Sequence, residues 1–209
     1  MRCTFRVRRI SRGANLTMAR RKTQFVEGEF YHIYNRGCNK EQIFREERNY
    51  VFLLTNLKEK AKKHQISVIA YCLMPNHYHF LLRQDAETSV GVLIQDVFNS
   101  YTKAFNEMFQ RTGTLFEGPF KSIHVDKEEY LLHLCRYIHR NPLDAKLVND
   151  IESWQFSNYH EWVGKRNGNL FDQKFLGDHF QRPQQYAEFV LQYEAPKKLQ
   201  KEMSKLTWD

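Results

Sequence analysis

The stretch Met74-Pro75-Asn76-His77-Tyr78-His79-Phe80-Leu81-Leu82 decides how this chain is organised. Its Pro-Asn turn signal lies between two apolar runs, which predicts a β-hairpin over residues 67–83. Side chains two residues apart on a strand share a face, so His77 and His79 point to one side and Tyr78 to the other. Two neighbouring imidazoles favour a metal site, and the alternative is a half-exposed strand with two solvent-facing histidines.

The rest of the pattern predicts strands and helices in alternation around this hairpin. Strands are predicted over 30–34 and 121–125, and amphipathic helices over 40–63, 88–110 and 128–141. The resulting order, β-α-β-β-α-β-α, is typical of an α+β, ferredoxin-like fold. We therefore expect an antiparallel sheet with helices on one face, an open second face and a C-terminal helical extension.

The helix predicted over 128–141 carries polar side chains beside its apolar stripe. The stripe consists of Leu131, Leu134, Cys135 and Ile138. Tyr137 lies off this stripe, Asn141 follows one turn later on the same flank, and His133 precedes Tyr137 by one turn. Pro142 predicts that the helix ends at Asn141. The alternatives are a surface tyrosine at the core boundary and an asparagine that caps the helix.

Composition and charge predict one core domain with a basic N-terminal arm. The excess of 32 basic over 24 acidic residues equals the eight arginines and lysines of residues 1–22, which hold no acid. The four cysteines lie far apart without a paired spacing, which is typical of reduced thiols in a cytosolic protein. The apolar runs are too short for a membrane helix, so we expect a soluble protein. Met18 is the expected working start of the chain.

Four motifs, in this order, resemble those of the REP-associated tyrosine transposases, which are single-tyrosine HUH transposases of the insertion sequence 200-like kind. The motifs are Tyr31-His32-Ile33-Tyr34-Asn35-Arg36-Gly37, Met74-Pro75-Asn76-His77-Tyr78-His79, Gly113-Thr114-Leu115-Phe116-Glu117-Gly118 and Tyr137-Ile138-His139-Arg140-Asn141-Pro142. The resemblance covers roughly residues 25–163. It implies a catalytic domain over 25–163. Residues 1–24 show no sustained periodicity and are predicted to be a disordered basic arm, and helical spacing predicts a helical tail over 164–209.

The resemblance also implies a reaction and the residues that perform it. Tyr137 would be the nucleophile, and His77, His79 and Asn141 would be ligands of Mg²⁺ or Mn²⁺, ions that suit a mixed nitrogen and oxygen site with open positions. The expected reaction is cleavage of single-stranded DNA at repeat hairpins through a 5′-phosphotyrosine intermediate, with strand transfer as in transposition. His133 or His139 is a candidate to handle the proton.

Single-stranded or hairpin DNA is therefore the expected partner, and no membrane is expected. Arg36, Arg111 and Lys121 are predicted to bind DNA, because their loops are expected near the open face of the sheet. The alternative for each is a solvated surface charge. A monomer and a homodimer both fit the sequence, and the bacterial cytoplasm is the expected location.

Two other functions fit parts of the pattern. A non-catalytic nucleic-acid-binding protein of RRM-like architecture would use the same fold and the 14% aromatic content. Such a module needs no paired histidines, and no RNP-type run occurs in this sequence. A relaxase or replication initiator would share the HUH chemistry, but the short chain without a helicase or primase region argues against it.

Overall fold

A four-stranded antiparallel sheet forms the centre of the molecule, in a computed structural model that describes residues 23–192. The strands are β1 (Phe30–Arg36), β2 (Ile66–Met74), β3 (His77–Gln84) and β4 (Lys121–Val125). They lie in the order β2-β3-β1-β4, so β1 and β3 are the central pair. Only the two residues Pro75 and Asn76 separate β2 from β3, and the predicted hairpin is confirmed.

The helices follow the predicted order along the chain. They are α1 (Glu47–His64), α2 (Val90–Met108), α3 (Glu128–Asp144), α4 (Tyr159–Trp162), α5 (Gln173–His179) and α6 (Pro183–Leu191). Helix α1 begins later than the predicted residue 40, because the backbone N–H groups of Ile43 and Phe44 both donate to the carbonyl of Pro75. Those two bonds hold residues 41–44 as a loop against the hairpin turn. No helix of residues 23–192 is long and apolar enough to cross a membrane.

Side chains from the two faces of the sheet enter separate hydrophobic clusters. Helices α1 and α2 cover the face that carries Tyr31, Ile33 and Tyr78. The predicted ferredoxin-like α+β arrangement is thereby confirmed. The second face is not fully open, because α3 packs across it, mainly over β2, together with residues of α4 to α6.

Helix α3 continues past the residue at which the sequence pattern ends it. Pro142 lies inside the helix, which runs to Asp144, so the prediction of an end at Asn141 is wrong. Proline lacks only its own backbone N–H, and the next turn is closed by the N–H of Ala145, which donates to the carbonyl of Asn141 at 2.9 Å. Asn141 is accordingly not a helix cap, and its side chain is available for other contacts.

A buried hydrogen-bond network ties α3 to the sheet and to α6. The side chain of Asn158 accepts from the N–H of Tyr71 at 2.7 Å and donates to the carbonyl of Ile69 at 2.9 Å. His139, on the buried side of α3, bonds Asn158 Oδ1 through Nε2 and the Tyr186 hydroxyl through Nδ1. The predicted tail therefore packs on the domain as far as Val190. The division into an arm, a catalytic domain and a tail stays a prediction. Residues 1–22, which include Met18, and residues 193–209 lie outside the described residues.

This network makes the stability of the fold sensitive to acid. Burial lowers the pKa of His139 from 6.5 to about 4, with the hydrogen bond that His139 donates to Asn158 opposing the shift and nearby His160 adding to it. As the pH falls below 6.5, the unfolded chain takes up a proton before the folded chain does. The contribution of His139 to the free energy of unfolding is therefore complete above pH 6.5 and is lost progressively towards pH 4.

We expect the free energy of unfolding to fall over this pH window, by up to about 1.4 kcal/mol per pH unit for one such group. His139→Gln keeps a donor for Asn158 but does not titrate, so the variant should be less stable at pH 7 and show a shallower pH dependence. Urea unfolding at several pH values measures both. An unchanged slope in the variant would show that other groups control the acid sensitivity.

Candidate active site

Strand alternation brings both histidines of the hairpin to the sheet face that α3 crosses. His77 pairs in register with Arg36 of β1, and His79 pairs with Tyr34. The two imidazole rings lie 5.2 Å apart, while the intervening Tyr78 packs on the other face. The predicted shared face is confirmed, although it is largely covered, since His79 is only 1% exposed.

The Nδ1 atom of each histidine has a side-chain partner. Asn76 donates through Nδ2 to the carbonyl of Lys40 at 3.2 Å, which turns its Oδ1 towards Nδ1 of His77 at 2.7 Å. Nδ1 of His77 therefore carries the proton and donates it. His79 Nδ1 lies 3.0 Å from Nε2 of His32, a buried residue of β1. Because the Nδ1 atoms have these partners, metal binding by either ring would use its Nε2 atom.

Asn141 of α3 completes a set of three donor groups. Its Oδ1 lies 3.0 Å from Nε2 of His77. Because Nδ1 of His77 carries the proton, these two atoms face each other as lone pairs, and a proton or a metal ion is needed between them. Adjacent ligands of an octahedral Mg²⁺ ion are separated by about 3 Å, which follows from metal–oxygen distances of about 2.1 Å. The pair therefore fits a divalent cation.

The donor set differs from the usual clusters of acidic or sulfur ligands. Residues 23–192 contain no group of three or more His, Cys, Asp or Glu side chains that could hold a metal ion. The third donor here is an amide oxygen, and two imidazoles with one amide suit an ion that keeps open positions for water and phosphate.

Burial keeps the imidazoles of His79 and its partner His32 neutral. It lowers the pKa of His79 well below its ordinary value, and neighbouring His32 and His77 lower it further. The pKa of His32 falls to about 3 for the same reason. Both rings are therefore neutral near pH 7, the form in which imidazole binds metal ions.

Tyr137 lies on α3 next to this cluster. Its ring is half-buried, edge-on to the ring of His79 at 5.5 Å, one helical turn before Asn141. Two other tyrosines of the hairpin, Tyr71 and Tyr78, are buried in the cluster under α1 and α2 on the opposite face. One chain thus brings together Tyr137 and the three donor groups.

The three predicted DNA-binding residues lie in different surroundings. Lys121 pairs in register with Tyr34 on the histidine face, and its Nζ lies 5.9 Å from the centre of that ring. Arg36, beside His77, donates to both carboxylate oxygens of Glu117 at 3.0 and 3.2 Å. Arg111 lies at the end of α2, where its contacts include Asn106 and Glu41. Lys121 and Arg36 therefore lie on the same sheet face as the histidines, whereas Arg111 lies beyond the end of α2.

Neither histidine proposed for proton transfer lies in this group. His133 contacts Arg136 and the ring of Phe189, on the α6 side of α3, and its part in proton transfer stays a prediction. The sequence pattern does not predict these contacts, because Phe189 lies in α6, far from His133 along the chain. His139 is fully buried in the Asn158 network.

Sequence reasoning missed His32 and Asn76, the partners of the two histidines. The sequence does contain a signal for His32, because a ferredoxin-like sheet places β1 beside β3, the strand that carries His79. Alternation in Tyr31-His32-Ile33 then puts His32 on the histidine face. For Asn76 the local pattern indicates only a turn, because its bond to Lys40 joins segments distant in sequence.

Gly37 holds the loop that supports Asn76. A Cβ atom at this position would lie 2.0 Å from the backbone oxygen of Glu41. Gly37→Ala should therefore displace residues 38–44, destabilise the fold by about 1–3 kcal/mol and disturb His77 through Asn76. Urea unfolding measures the loss, and Gly118→Ala is a matched control because a Cβ there meets no atom within 4 Å. Equal stability of the two variants would contradict this role of Gly37.

Comparison with known proteins identifies a family and two solved structures to which this chain is similar. Residues 26–141 match a family model described as IS200-like transposase. A solved structure of a REP-associated tyrosine transposase bound to a REP hairpin is similar in fold, with a TM-score of 0.61 and 15% identity over 74% of this chain and 94% of that chain. A Deinococcus radiodurans R1 protein, provisionally assigned as a transposase, has a TM-score of 0.41 and 16% identity over 57% of this chain and 96% of that chain.

None of the curated proteins compared with the chain matches it. The family match at residues 26–141 spans more than half of the 209 residues and contains the hairpin histidines, Tyr137 and Asn141. This chain belongs to the IS200-like transposase family.

Proposed function

We propose that this chain is a metal-dependent endonuclease and strand transferase that cleaves single-stranded DNA at repeat hairpins. The observation that carries the proposal is the meeting of Tyr137 with His77, His79 and Asn141. A phenol next to two imidazoles and an amide oxygen combines a nucleophile with a ligand set for a divalent cation. Membership of a transposase family supports an activity on DNA.

Mg²⁺ or Mn²⁺ is the cofactor that these donors would hold, through the Nε2 atoms of His77 and His79 and the Oδ1 atom of Asn141. When bound, the ion would polarise the scissile phosphate and offset the negative charge that develops on its non-bridging oxygens. The protein bonds the Nδ1 atoms of both imidazoles to neighbouring side chains, so the donors are oriented before the ion arrives.

Tyr137 would act as the nucleophile. Its hydroxyl oxygen attacks phosphorus in line with the departing oxygen, so the bond from phosphorus to Tyr137 forms as the bond to the 3′ oxygen breaks. The phenolic proton passes to solvent, and the departing oxygen takes up a proton to become a free 3′-hydroxyl. The product is a 5′-phosphotyrosine link. A 3′-hydroxyl can attack this link in turn, so strand transfer needs no ATP.

Tyr137 needs help from its surroundings because a phenol titrates near pH 10 and is mostly protonated at neutral pH. The half-buried position beside His79 restricts the ring and holds it 5.5 Å from the His79 ring. Fixing a nucleophile near the phosphate lowers the entropic cost of reaching the transition state.

DNA with a hairpin and an adjoining single strand is the substrate that we infer. The protein of similar fold was solved with a REP hairpin, and a flexible single strand can pass a phosphate between α3 and the sheet more easily than a duplex can. Lys121 and Arg36, on the histidine face, would bind the phosphates next to the scissile one. Arg111 would contact DNA only outside this site.

The RRM-like alternative has less support. Binding of that kind stacks bases on exposed aromatic rings of the sheet. On the histidine face, Tyr34 is 5% exposed and lies against the rings of His32 and His79. A ring so enclosed offers little surface for a base.

Incubation of the protein with end-labelled hairpin DNA and Mn²⁺ tests the proposal. A denaturing gel should show a labelled band at the mass of the protein plus a DNA fragment, together with a shortened strand, and chelation by EDTA should remove both. Binding of the hairpin without an adduct, at any concentration of Mn²⁺ or Mg²⁺, would favour the non-catalytic alternative.

A further inference from the structure

His32 is a buried imidazole that no step of the proposed reaction uses. It lies on β1 with 0% exposure, and its Nε2 atom is 3.0 Å from Nδ1 of His79. Its other nitrogen, Nδ1, has no hydrogen-bond partner within residues 23–192. A buried histidine with an unpaired nitrogen costs stability, so its contact with His79 calls for an explanation.

The position of the His32 ring is fixed from both sides. Its ring centre lies 4.8 Å from that of Tyr34 and 5.2 Å from that of His79, with interplanar angles of 23° and 15°. The strands that carry His32 and His79 are the central pair of the sheet, and the ladder between them is continuous. Nε2 of His32 is therefore held at one point relative to His79.

The position of the proton between the two rings determines which nitrogen of neutral His79 is unprotonated. If Nδ1 of His79 donates to His32, the Nε2 atom of His79 has a free lone pair and can bind a cation. If Nε2 of His32 donates instead, neutral His79 carries its proton on Nε2 and that atom cannot bind one. A histidine ligand commonly donates its second N–H to a neighbouring group, which sets its tautomer.

We propose that His32 is a positioning residue that accepts a hydrogen bond from Nδ1 of His79 and so presents the Nε2 atom of His79 to the divalent cation. The inference rests on the metal site of the proposed function. His32 thereby does for His79 what Asn76 does for His77, whose Nδ1 donates to the Asn76 amide oxygen. Both histidine ligands would then have a fixed tautomer and a fixed ring direction.

Two substitutions at position 32 separate positioning from packing. His32→Gln keeps an acceptor at the position of Nε2, because a glutamine amide oxygen reaches that point. His32→Leu fills a similar volume without an acceptor. His160→Leu is a matched control, because His160 is also buried and also has an unpaired Nδ1, but it bonds the carbonyl of Glu152, away from the site. Thermal melting confirms that each variant is folded.

Calorimetry of Mn²⁺ binding without DNA is the primary measurement. His32→Leu should bind Mn²⁺ about 10–100-fold more weakly than wild type, the range found when a partner of a metal ligand is lost. His32→Gln and His160→Leu should stay within about threefold of wild type, less than the smallest loss expected for His32→Leu. In the cleavage assay, His32→Leu should need more Mn²⁺ for half-maximal rate and recover most of its rate at saturation.

The results that overturn the inference are distinct from those that overturn the proposed function. Equal Mn²⁺ affinity of His32→Leu and wild type, or equal weakening by Leu and Gln in folded variants, would exclude a positioning role. Absence of Mn²⁺ binding by wild type would do so as well. Normal Mn²⁺ binding by wild type without any DNA adduct would contradict the proposed function and leave the role of His32 intact.

Discussion

Tyr137→Phe is expected to abolish strand cleavage and the covalent adduct, while folding and hairpin binding stay close to wild type. The change removes one hydroxyl oxygen and almost no volume from a half-buried ring, so the packing against His79 persists. Without that oxygen no bond to phosphorus can form, and the expected residual activity is at background. A denaturing gel for the adduct, a binding assay and thermal melting measure the three properties.

Tyr130→Phe is the matched control, because Tyr130 is a half-buried tyrosine on the same helix that packs in the same hydrophobic cluster. It should cleave as wild type does. Cleavage by Tyr137→Phe at the wild-type rate would assign the reaction to another group.

Loss of a donor group is expected to have the second largest effect. His77→Ala and Asn141→Ala each remove one side of the pair whose atoms lie 3.0 Å apart. Stabilisation of the transition state by a metal ion amounts to several kcal/mol, so each variant should cleave at least about 100-fold more slowly. Asn141→Gln should be milder than Asn141→Ala, because the amide oxygen is kept.

Cleavage rates over a range of Mn²⁺ concentrations measure this effect, and circular dichroism checks the fold. His124→Ala is a suitable control, because His124 is an exposed histidine of β4 that pairs with Glu29 and not with the donor groups. Loss of the folded spectrum in His77→Ala would point to a structural role instead. Unchanged Mn²⁺ dependence in Asn141→Ala would remove Asn141 from the site.

Local sequence patterns were sufficient for much of the fold and for part of the site. The turn signal at Pro75-Asn76 and the alternation after it determine that His77 and His79 share a face, and the structure agrees. Helical periodicity likewise places Tyr137 beside the buried stripe that contains Ile138. These features depend on neighbours within a few residues, which is why they can be predicted from a single sequence.

The features that were missed depend on contacts between distant segments. The contact of His32 with His79 joins residues 47 positions apart, and it requires both the strand order and the register. The continuation of α3 through Pro142 depends on hydrogen bonds and packing beyond the proline, which override a local preference. His133 turns to Phe189, a residue of the segment that the sequence pattern left without a role.

The central claim is that Tyr137 becomes covalently bound to DNA, and peptide mapping of the adduct tests it most directly. Wild-type protein is incubated with a hairpin oligonucleotide and Mn²⁺, the adduct is digested with protease and nuclease, and the modified peptide is sequenced by mass spectrometry. We expect a nucleotide 5′-phosphate on Tyr137. A nucleotide on any other residue, including Tyr71, Tyr78 or Tyr130, would contradict the account.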